Sequence, residues 1–153
     1  MTKLLNAAFI YMVLGVASGL FYREFTKANA FPEGEYTQLA VVHTHLLTLG
    51  FIVLLILLAL EKLFTISRSP KLFGWFFWLY NAGLVLTAGM MVWHGSLTVL
   101  GEESTAMIAG IAGLGHILLT AAMIILFIAL GRAVNASAGG SAPASDTTAS
   151  VAA

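Results

Sequence analysis

Residues 38–60 read QLAVVHTHLLTLGFIVLLILLAL, and this stretch decides the fold. It contains no Asp, Glu, Lys or Arg, and it exceeds the roughly 20 apolar residues that a helix needs to cross a bilayer. Two histidines, His43 and His45, interrupt it near its start. An ionisable side chain at membrane depth is costly, so each of these histidines marks a functional-site hypothesis by default.

Three further apolar segments have the same character, at residues 4–22, 72–99 and 105–131. The whole chain is 59% hydrophobic and 9% charged, whereas soluble domains are about 25% charged. No alternating strand pattern recurs along the chain, which disfavours a β-barrel. The sequence therefore predicts an all-α, integral membrane four-helix bundle over residues 1–132.

Charge and cysteine content exclude several function classes. The seven basic residues balance the seven acidic ones, so no basic surface suited to nucleic acid is expected. Cysteine is absent, which removes disulfides, thiolate metal ligands and cysteine nucleophiles. No acid–base–nucleophile set is recognisable, so an enzyme is not favoured. The expected partner is the lipid bilayer, with a redox partner or a second copy of the chain as further candidates.

The basic residues predict the orientation of the bundle. Most of them flank one side of a four-span arrangement: Lys3, Lys62, Arg68, Lys71 and Arg132. The positive-inside rule then places both termini in the cytoplasm. Residues 133–153, rich in Ala, Ser and Gly, are predicted to be a disordered cytoplasmic tail. The first segment could instead be a signal peptide, but it is longer than the usual apolar region and lacks a clear cleavage site.

The other two histidines fall in the third and fourth segments, His94 near the end of one and His116 inside the other. At about 1.5 Å per residue, all four histidines lie at the centre of the bundle or in the half away from the basic side. His43 and His45 point to nearly opposite faces of their helix, because two residues turn about 200°. One imidazole can face the bundle centre while the other faces a neighbouring helix or a second site.

One interpretation of this histidine set is a b-type haem. Four-helix bundles can hold a porphyrin between facing helices, and two imidazoles can ligate its iron. The first choice of ligands is His45 with His116, and the alternatives are His43 and His94. Arg23 lies at the outer interface, where a guanidinium suits the carboxylates of the haem propionates. Electron transfer, gas sensing or haem handling would then be the function.

Other interpretations stay open beside haem. Copper is the alternative cofactor, since Met90 and Met91 precede His94 by about one turn and thioethers favour Cu(I). A metal-ion or proton transporter component is another, although no Asp or Glu lies within the predicted spans. The histidines could also belong to a non-catalytic membrane subunit, as interhelical hydrogen-bond partners.

Small residues predict where the helices approach one another. Gly15 and Gly19 form a G-x-x-x-G pattern in the first segment, and Ala106 with Gly110 and Ala109 with Gly113 form similar pairs in the fourth. Such faces allow close backbone contact in lipid. We expect the G-x-x-x-G pattern to serve packing within the chain rather than dimerisation.

Three stretches carry a resemblance: SGLFYREFTK (18–27), VVHTHLLTLGF (41–51) and GIAGLGHILLT (110–120). They resemble a family of small bacterial four-helix membrane proteins that is classified only as a domain of unknown function. The resemblance covers about residues 3–132 and implies a location in the bacterial cytoplasmic membrane. Its recurring positions, carried onto this chain, are Tyr22, Arg23, Glu24, His43, His45, Gly50 and His116.

A second, local likeness concerns the run H-x-H-L and the glycine that follows it. This run resembles the helix of haem–copper oxidases and nitric oxide reductases that ligates two haems from opposite faces. The likeness implies that His43 and His45 face two different cofactors. The chain lacks the further helices and the copper-ligating histidines of those enzymes, so full oxidase chemistry is not expected.

Overall fold

The computed structural model describes residues 1–139, and every regular element within them is helical. Four long helices follow one another: α1 (Thr2–Ala28), α2 (Leu39–Phe64), α3 (Pro70–Leu100) and α4 (Ala106–Gly139). Each is long and apolar enough to cross a membrane. The predicted all-α, four-helix architecture of a multi-pass membrane protein is therefore confirmed.

The first two helices run past their predicted ends. α1 continues to Ala28 instead of ending near residue 22, so Arg23 lies within a helix rather than in a loop. α2 continues to Phe64, which places Glu61 in its last turn instead of in the following loop. The Glu61 side chain is buried there because it caps the next turn of the chain. The predicted spans themselves hold no acid, and Glu61 joins α2 only because the helix is four residues longer than its predicted span.

The last helix also runs past its predicted end. α4 continues to Gly139 rather than stopping near residue 131, and Ala133 is still buried against the bundle. The first residues of the predicted tail are thus helical, because small alanine side chains extend the packed face. Residues 140–153, the rest of that predicted tail, lie outside the described residues.

The outer surface of the bundle is made of large apolar side chains. Phe9, Val16, Ile56, Ile117 and Phe127 are among those that are largely exposed. Soluble monomers rarely expose contiguous apolar surface of this kind. The exposed surface and the four spans together imply a lipid environment for the protein.

Most charged residues sort by end, because consecutive helices run in opposite directions; the exceptions among the described residues are Arg23, Lys27 and Glu61. One end, called the basic end here, carries Lys3, Lys62, Arg68, Lys71 and Arg132. The other end, called the acidic end, carries Glu24, Glu33, Glu35, Glu102 and Glu103. Which end faces the cytoplasm stays a prediction of the positive-inside rule.

α1 packs along α2 through its glycines. A Cβ at Gly15 would meet the side chain of Leu47 at 2.7 Å, and a Cβ at Gly19 would touch the Cβ of His43 at 3.6 Å. One turn further along the contact, Gly50 of α2 faces the side chain of Tyr11. The prediction that the G-x-x-x-G pattern serves packing within the chain is confirmed.

α3 packs on α4 over a long contact with two glycines at its closest point. A Cβ at Gly83 would lie 2.9 Å from the carbonyl oxygen of Gly115, and Gly115 in turn faces Thr87. The predicted small-residue pairs of α4 do not supply this contact, since Gly110 and Gly113 have no neighbour within 4 Å. The reason is rotation: Gly113 lies about 200° around the helix from Gly115.

The helices are arranged so that α1 and α4 lie on opposite sides of α3. Asn81 of α3 faces α1, whereas Gly83, about 200° further round, faces α4. α2 packs on α1 and α3, and it meets α4 mainly through its second half, Val53–Phe64. α2 and α4 therefore lie closest at the basic end and diverge toward the acidic end.

Candidate functional site

His45 lies near the start of α2 and is half-buried. Its Nδ1 lies 2.9 Å from the carbonyl oxygen of Val41, one turn earlier in the same helix. A carbonyl only accepts, so the neutral ring donates from Nδ1 and keeps Nε2 unprotonated. A small cavity of about 250 Å³ adjoins the ring, lined by Thr44, His45, Thr48 and Leu49.

His116 of α4 repeats this arrangement. Its Nδ1 lies 3.0 Å from the carbonyl oxygen of Ala112, again one turn earlier in the same helix. The ring is exposed on the side of α4 next to the face that packs on α3. The hydroxyl of Thr120 donates to the backbone carbonyl of His116 at 2.8 Å and leaves the imidazole free. Histidines that bind metals almost always donate their other ring N–H to a carbonyl or carboxylate in this way.

His43 and His94 are held differently. His43 packs against Gly19 of α1, and its Nδ1 is buried with no partner in the part of the chain that the structure describes. Its Nε2 lies 3.4 Å from the hydroxyl of Thr44. Nδ1 of His94 lies 2.7 Å from the hydroxyl of Ser104, in the loop between α3 and α4. Neither ring donates to a carbonyl of its own helix.

The four imidazoles do not gather into one cluster. Within residues 1–139, no group of three or more His, Cys, Asp or Glu side chains could hold a metal ion. The hydrogen bonds of the imidazoles also stay within one helix or its adjoining loop, so none of those described joins two helices. Haem and copper binding both stay predictions.

Arg23 lies on α1, one turn beyond Gly19, and its side chain forms an ion pair with Glu24 at 3.6 Å. Both side chains are well exposed at the acidic end. Because His43 is the histidine that packs on Gly19, Arg23 is closer to His43 than to the α4 side of the bundle. Its predicted contact with haem propionates therefore fits a group beside His43 better than one at His116.

Tyrosine hydroxyls make polar contacts between helices, and a threonine hydroxyl joins the loop before α2 to α3. The hydroxyl of Tyr11 donates to Asn81 Oδ1 at 2.9 Å and links α1 to α3. The hydroxyl of Tyr80 donates to the carbonyl of Leu49 at 3.0 Å, and that of Thr37 donates to the carbonyl of Gly95 at 2.8 Å. Sequence reasoning missed these bonds, because only the fold shows which carbonyls face the hydroxyls.

A π-helical segment, Leu46–Ile52, begins directly after His45. Within it the hydrogen bonds span five residues, as between the N–H of Val53 and the carbonyl of Thr48. Segments of this kind occur frequently at functional sites. The one sequence signal for it is Gly50, a glycine inside an otherwise unbroken apolar run.

A family model matches residues 1–133, nearly all of the described chain, and its description is "Protein of unknown function (DUF2871)". The chain belongs to this family. The match agrees with the resemblance to a small uncharacterised family that the sequence suggested. Neither the curated proteins nor the solved structures compared with the chain give a match. The local likeness to haem–copper oxidases stays a prediction.

Proposed function

We propose that this protein is a membrane haem protein in which His45 and His116 ligate the iron of one b-type haem. The observation that carries the proposal is the geometry that the two rings share. Each places Nδ1 against the carbonyl one turn earlier in its own helix, at 2.9 Å for His45 and 3.0 Å for His116. This bond keeps Nε2 unprotonated and orients it away from the helix, which is the state that ligates a metal.

The positions of the two rings along their helices suit a shared ligand. Both helices begin at the acidic end, and His45 lies about 9 Å from the start of α2 while His116 lies about 15 Å from the start of α4. His45 is turned about 200° from His43, the residue that packs on α1, so it lies on the side of α2 away from α1. Because α4 contacts α2 through Val53–Phe64, we infer that α4 lies on this side.

The proposed site is the opening between α2 and α4. These helices meet mainly through Val53–Phe64 and separate toward the acidic end, where both histidines lie. A planar group between them would be ligated from both sides, as in other bundles that hold haem. Bound there, haem would supply one-electron or gas-binding chemistry. The residues of the chain would bind it, orient it and keep water away, which favours electron transfer, gas sensing or haem handling.

The first test is the absorption spectrum of protein purified from haem-replete cells. We expect the Soret, α and β bands of a haem with two imidazole ligands, and we expect His45→Ala and His116→Ala each to lower the haem content or to give the spectrum of five-coordinate haem, since only one imidazole then remains. His94→Ala is the matched control and should keep the spectrum, because its ring contacts Ser104 instead. Colourless protein that takes up no added haem would overturn the proposal, as would a spectrum that survives both ligand substitutions.

A second test examines whether the face of α2 that carries His45 and the face of α4 that carries His116 lie opposite each other. The chain has no cysteine, so introduced pairs react cleanly. Thr48→Cys with Thr120→Cys places a thiol one turn below each ring, and a short bifunctional thiol reagent should join them. Ser18→Cys with Thr120→Cys is the control, since α1 and α4 lie on opposite sides of α3. Cross-linking of the control pair but not of the first pair would contradict the proposed opening.

A further inference from the structure

We propose that the basic end binds one anionic phospholipid, with its headgroup at Lys3 and Lys71 and one acyl chain between α1 and α3. The inference is independent of haem binding, because the cleft between α1 and α3 lies on the other side of the bundle from His116. Three adjoining cavities carry it, and Trp78 lines all three.

The acyl-chain site is an apolar groove of about 420 Å³ between α1 and α3. Along α1 it runs from Lys3 to Leu14, a length of about 16 Å, which matches half of the roughly 30 Å hydrocarbon core of a bilayer. Its polar groups, the Tyr11 hydroxyl and the Asn81 amide oxygen, are hydrogen-bonded to each other. The groove therefore presents mainly hydrocarbon to an occupant. The part from Lys3 to Leu14 has the depth of one leaflet, and a second apolar cavity of about 450 Å³, which shares Tyr11, Leu14 and Val85, continues it toward the acidic end.

The headgroup site consists of the two cavities at the mouth of this groove. One, of about 280 Å³, is lined by Lys3, Ser67 and the first two turns of α3. The other, of about 410 Å³, is lined by Lys71 and Trp75. Basic pockets between membrane helices bind anionic headgroups, and tryptophan is enriched at the depth where headgroups lie. A cationic mouth above an apolar groove is complementary to an anionic amphiphile.

The charges around the mouth leave both lysines available. Within the described residues, neither Lys3 nor Lys71 belongs to an ion pair. The acid bonded to a residue that lines the mouth is Glu61, whose side chain is 6% exposed. Its two carboxylate oxygens accept hydrogen bonds from the backbone N–H of Ser67, at 2.9 Å, and from the Ser67 hydroxyl. Glu61 is therefore held in the turn between α2 and α3 and forms no ion pair with Lys3 or Lys71 among the described residues.

The groove opens toward the lipid-facing surface. Val85 on its α3 wall is 59% exposed, and Ile10 on its α1 wall is also exposed. A lipid can therefore enter sideways from the bilayer without separating the helices. A partner helix would cover the same walls but would make no use of the paired lysines at one end, so the charge distribution favours the phospholipid.

The test uses the full chain, stripped of lipid in a neutral detergent, with dioctanoyl phosphatidylglycerol as the ligand and dioctanoyl phosphatidylcholine as the reference. Phosphatidylglycerol should raise the melting temperature and phosphatidylcholine should not. Lys3→Gln and Lys71→Gln should each weaken phosphatidylglycerol binding about fivefold, the change expected for one lysine near an anionic surface. Lys62→Gln, at the same end but outside the three cavities, should bind as the unchanged protein does.

Three results would overturn the headgroup assignment. They are equal effects of the two lipids, full binding by both lysine variants, and an equal shift produced by inorganic phosphate alone.

A separate pair of variants, one inside the groove and one control outside it, tests the acyl-chain site. Val85→Trp should reduce phosphatidylglycerol binding at least tenfold by filling the groove, whereas Val16→Trp, at a site that is 64% exposed on the far side of α1, should not. Leu14→Trp fills the groove from the other wall and serves if Val85→Trp does not fold. Unchanged binding by a folded groove variant would overturn the acyl-chain site.

Discussion

Two buried threonines differ in whether their hydroxyls have a partner, although both are almost fully enclosed. Thr37 is 1% exposed and donates to the carbonyl of Gly95, whereas Thr87 is 0% exposed and its hydroxyl has no partner among the described residues. An unpaired hydroxyl in an apolar interior is unfavourable, and a paired one contributes modestly. Comparing the two positions therefore separates the contribution of a hydrogen bond to stability from the contribution of side-chain packing.

Valine at each position tests this difference, because it keeps the shape of threonine and removes the hydroxyl. We expect Thr37→Val to lower the free energy of unfolding by about 1–2 kcal/mol, because it removes the bond to Gly95 and also the longer bond, at 3.4 Å, that the hydroxyl accepts from the Leu39 N–H. Thr87→Val should leave it unchanged or raise it, since no bond is lost. Denaturant unfolding in detergent, followed by tryptophan fluorescence, measures both. Equal losses in the two variants would contradict the assigned hydrogen bonds.

At the scale of single residues, the sequence indicates the histidines but not their state. The positions of His45 and His116 in apolar runs mark them as functional candidates from the sequence alone. The bonds to Val41 and Ala112 depend on the ring rotamers, which one sequence does not determine. The exposure of His116 was likewise beyond prediction, because it depends on which face of α4 packs on α3.

The π-helical segment is the least regular element of the bundle, and Gly50 lies within it. A Cβ at Gly50 would overlap the side chain of Tyr11. That ring cannot move away freely, because its hydroxyl bonds to Asn81 across the bundle. Contact between α1 and α2 therefore requires a residue without a side chain at this position.

Alanine substitution at Gly50 tests this close contact between α1 and α2. Gly50→Ala should lower the free energy of unfolding by about 1–3 kcal/mol, the usual cost of overpacking. Gly89→Ala, in α3 with no neighbour within 4 Å, is the control and should be neutral or slightly stabilising, since alanine restricts the unfolded chain. The melting temperatures of the two variants give the comparison. A Gly89 variant that is the less stable of the two would contradict the packing.

Length and hydropathy predicted the four spans, because a helix that crosses lipid needs a long apolar run whatever surrounds it. The same reasoning placed the helix ends several residues too early at Arg23 and Glu61. It also selected Gly110 and Gly113 for helix contact, whereas the contact belongs to Gly115. Composition fixes how many helices there are, but the face that each one buries depends on its neighbours.

The orientation of the whole molecule is open to direct labelling. Since the basic end is expected to face the cytoplasm, Glu33→Cys and Glu103→Cys should react with an impermeant thiol reagent added to intact cells. Lys62→Cys and Asn135→Cys should react only after the membrane is opened. The absence of natural cysteine keeps the background low. The reverse labelling pattern would show that the bundle is inserted the other way round.

The groove between α1 and α3 exists only in the folded molecule, because residues of both helices line it. Lys3 and Lys71 belong to different helices, and only the antiparallel arrangement brings both to the mouth of one groove. The sequence predicted that both lie on the basic side, because charge sorting by loop follows from counting spans. It did not predict the groove, since the gap between α1 and α3 depends on how closely each packs on α2.

The π-helical segment of α2 changes the rotation of the first half of the helix relative to the second half. Leu46–Ile52 separates the histidine-bearing start of the helix from Val53–Phe64, the part seated against α4. A π-helical turn holds one residue more than an α-helical turn, so loss of one residue here would restore regular winding and leave His45 near its present direction. Regular α-helical winding of the unchanged sequence would instead rotate His45 by about 100° relative to Val53–Phe64. The π-helical segment thus sets the direction in which the His45 imidazole points relative to the half of α2 that packs on α4.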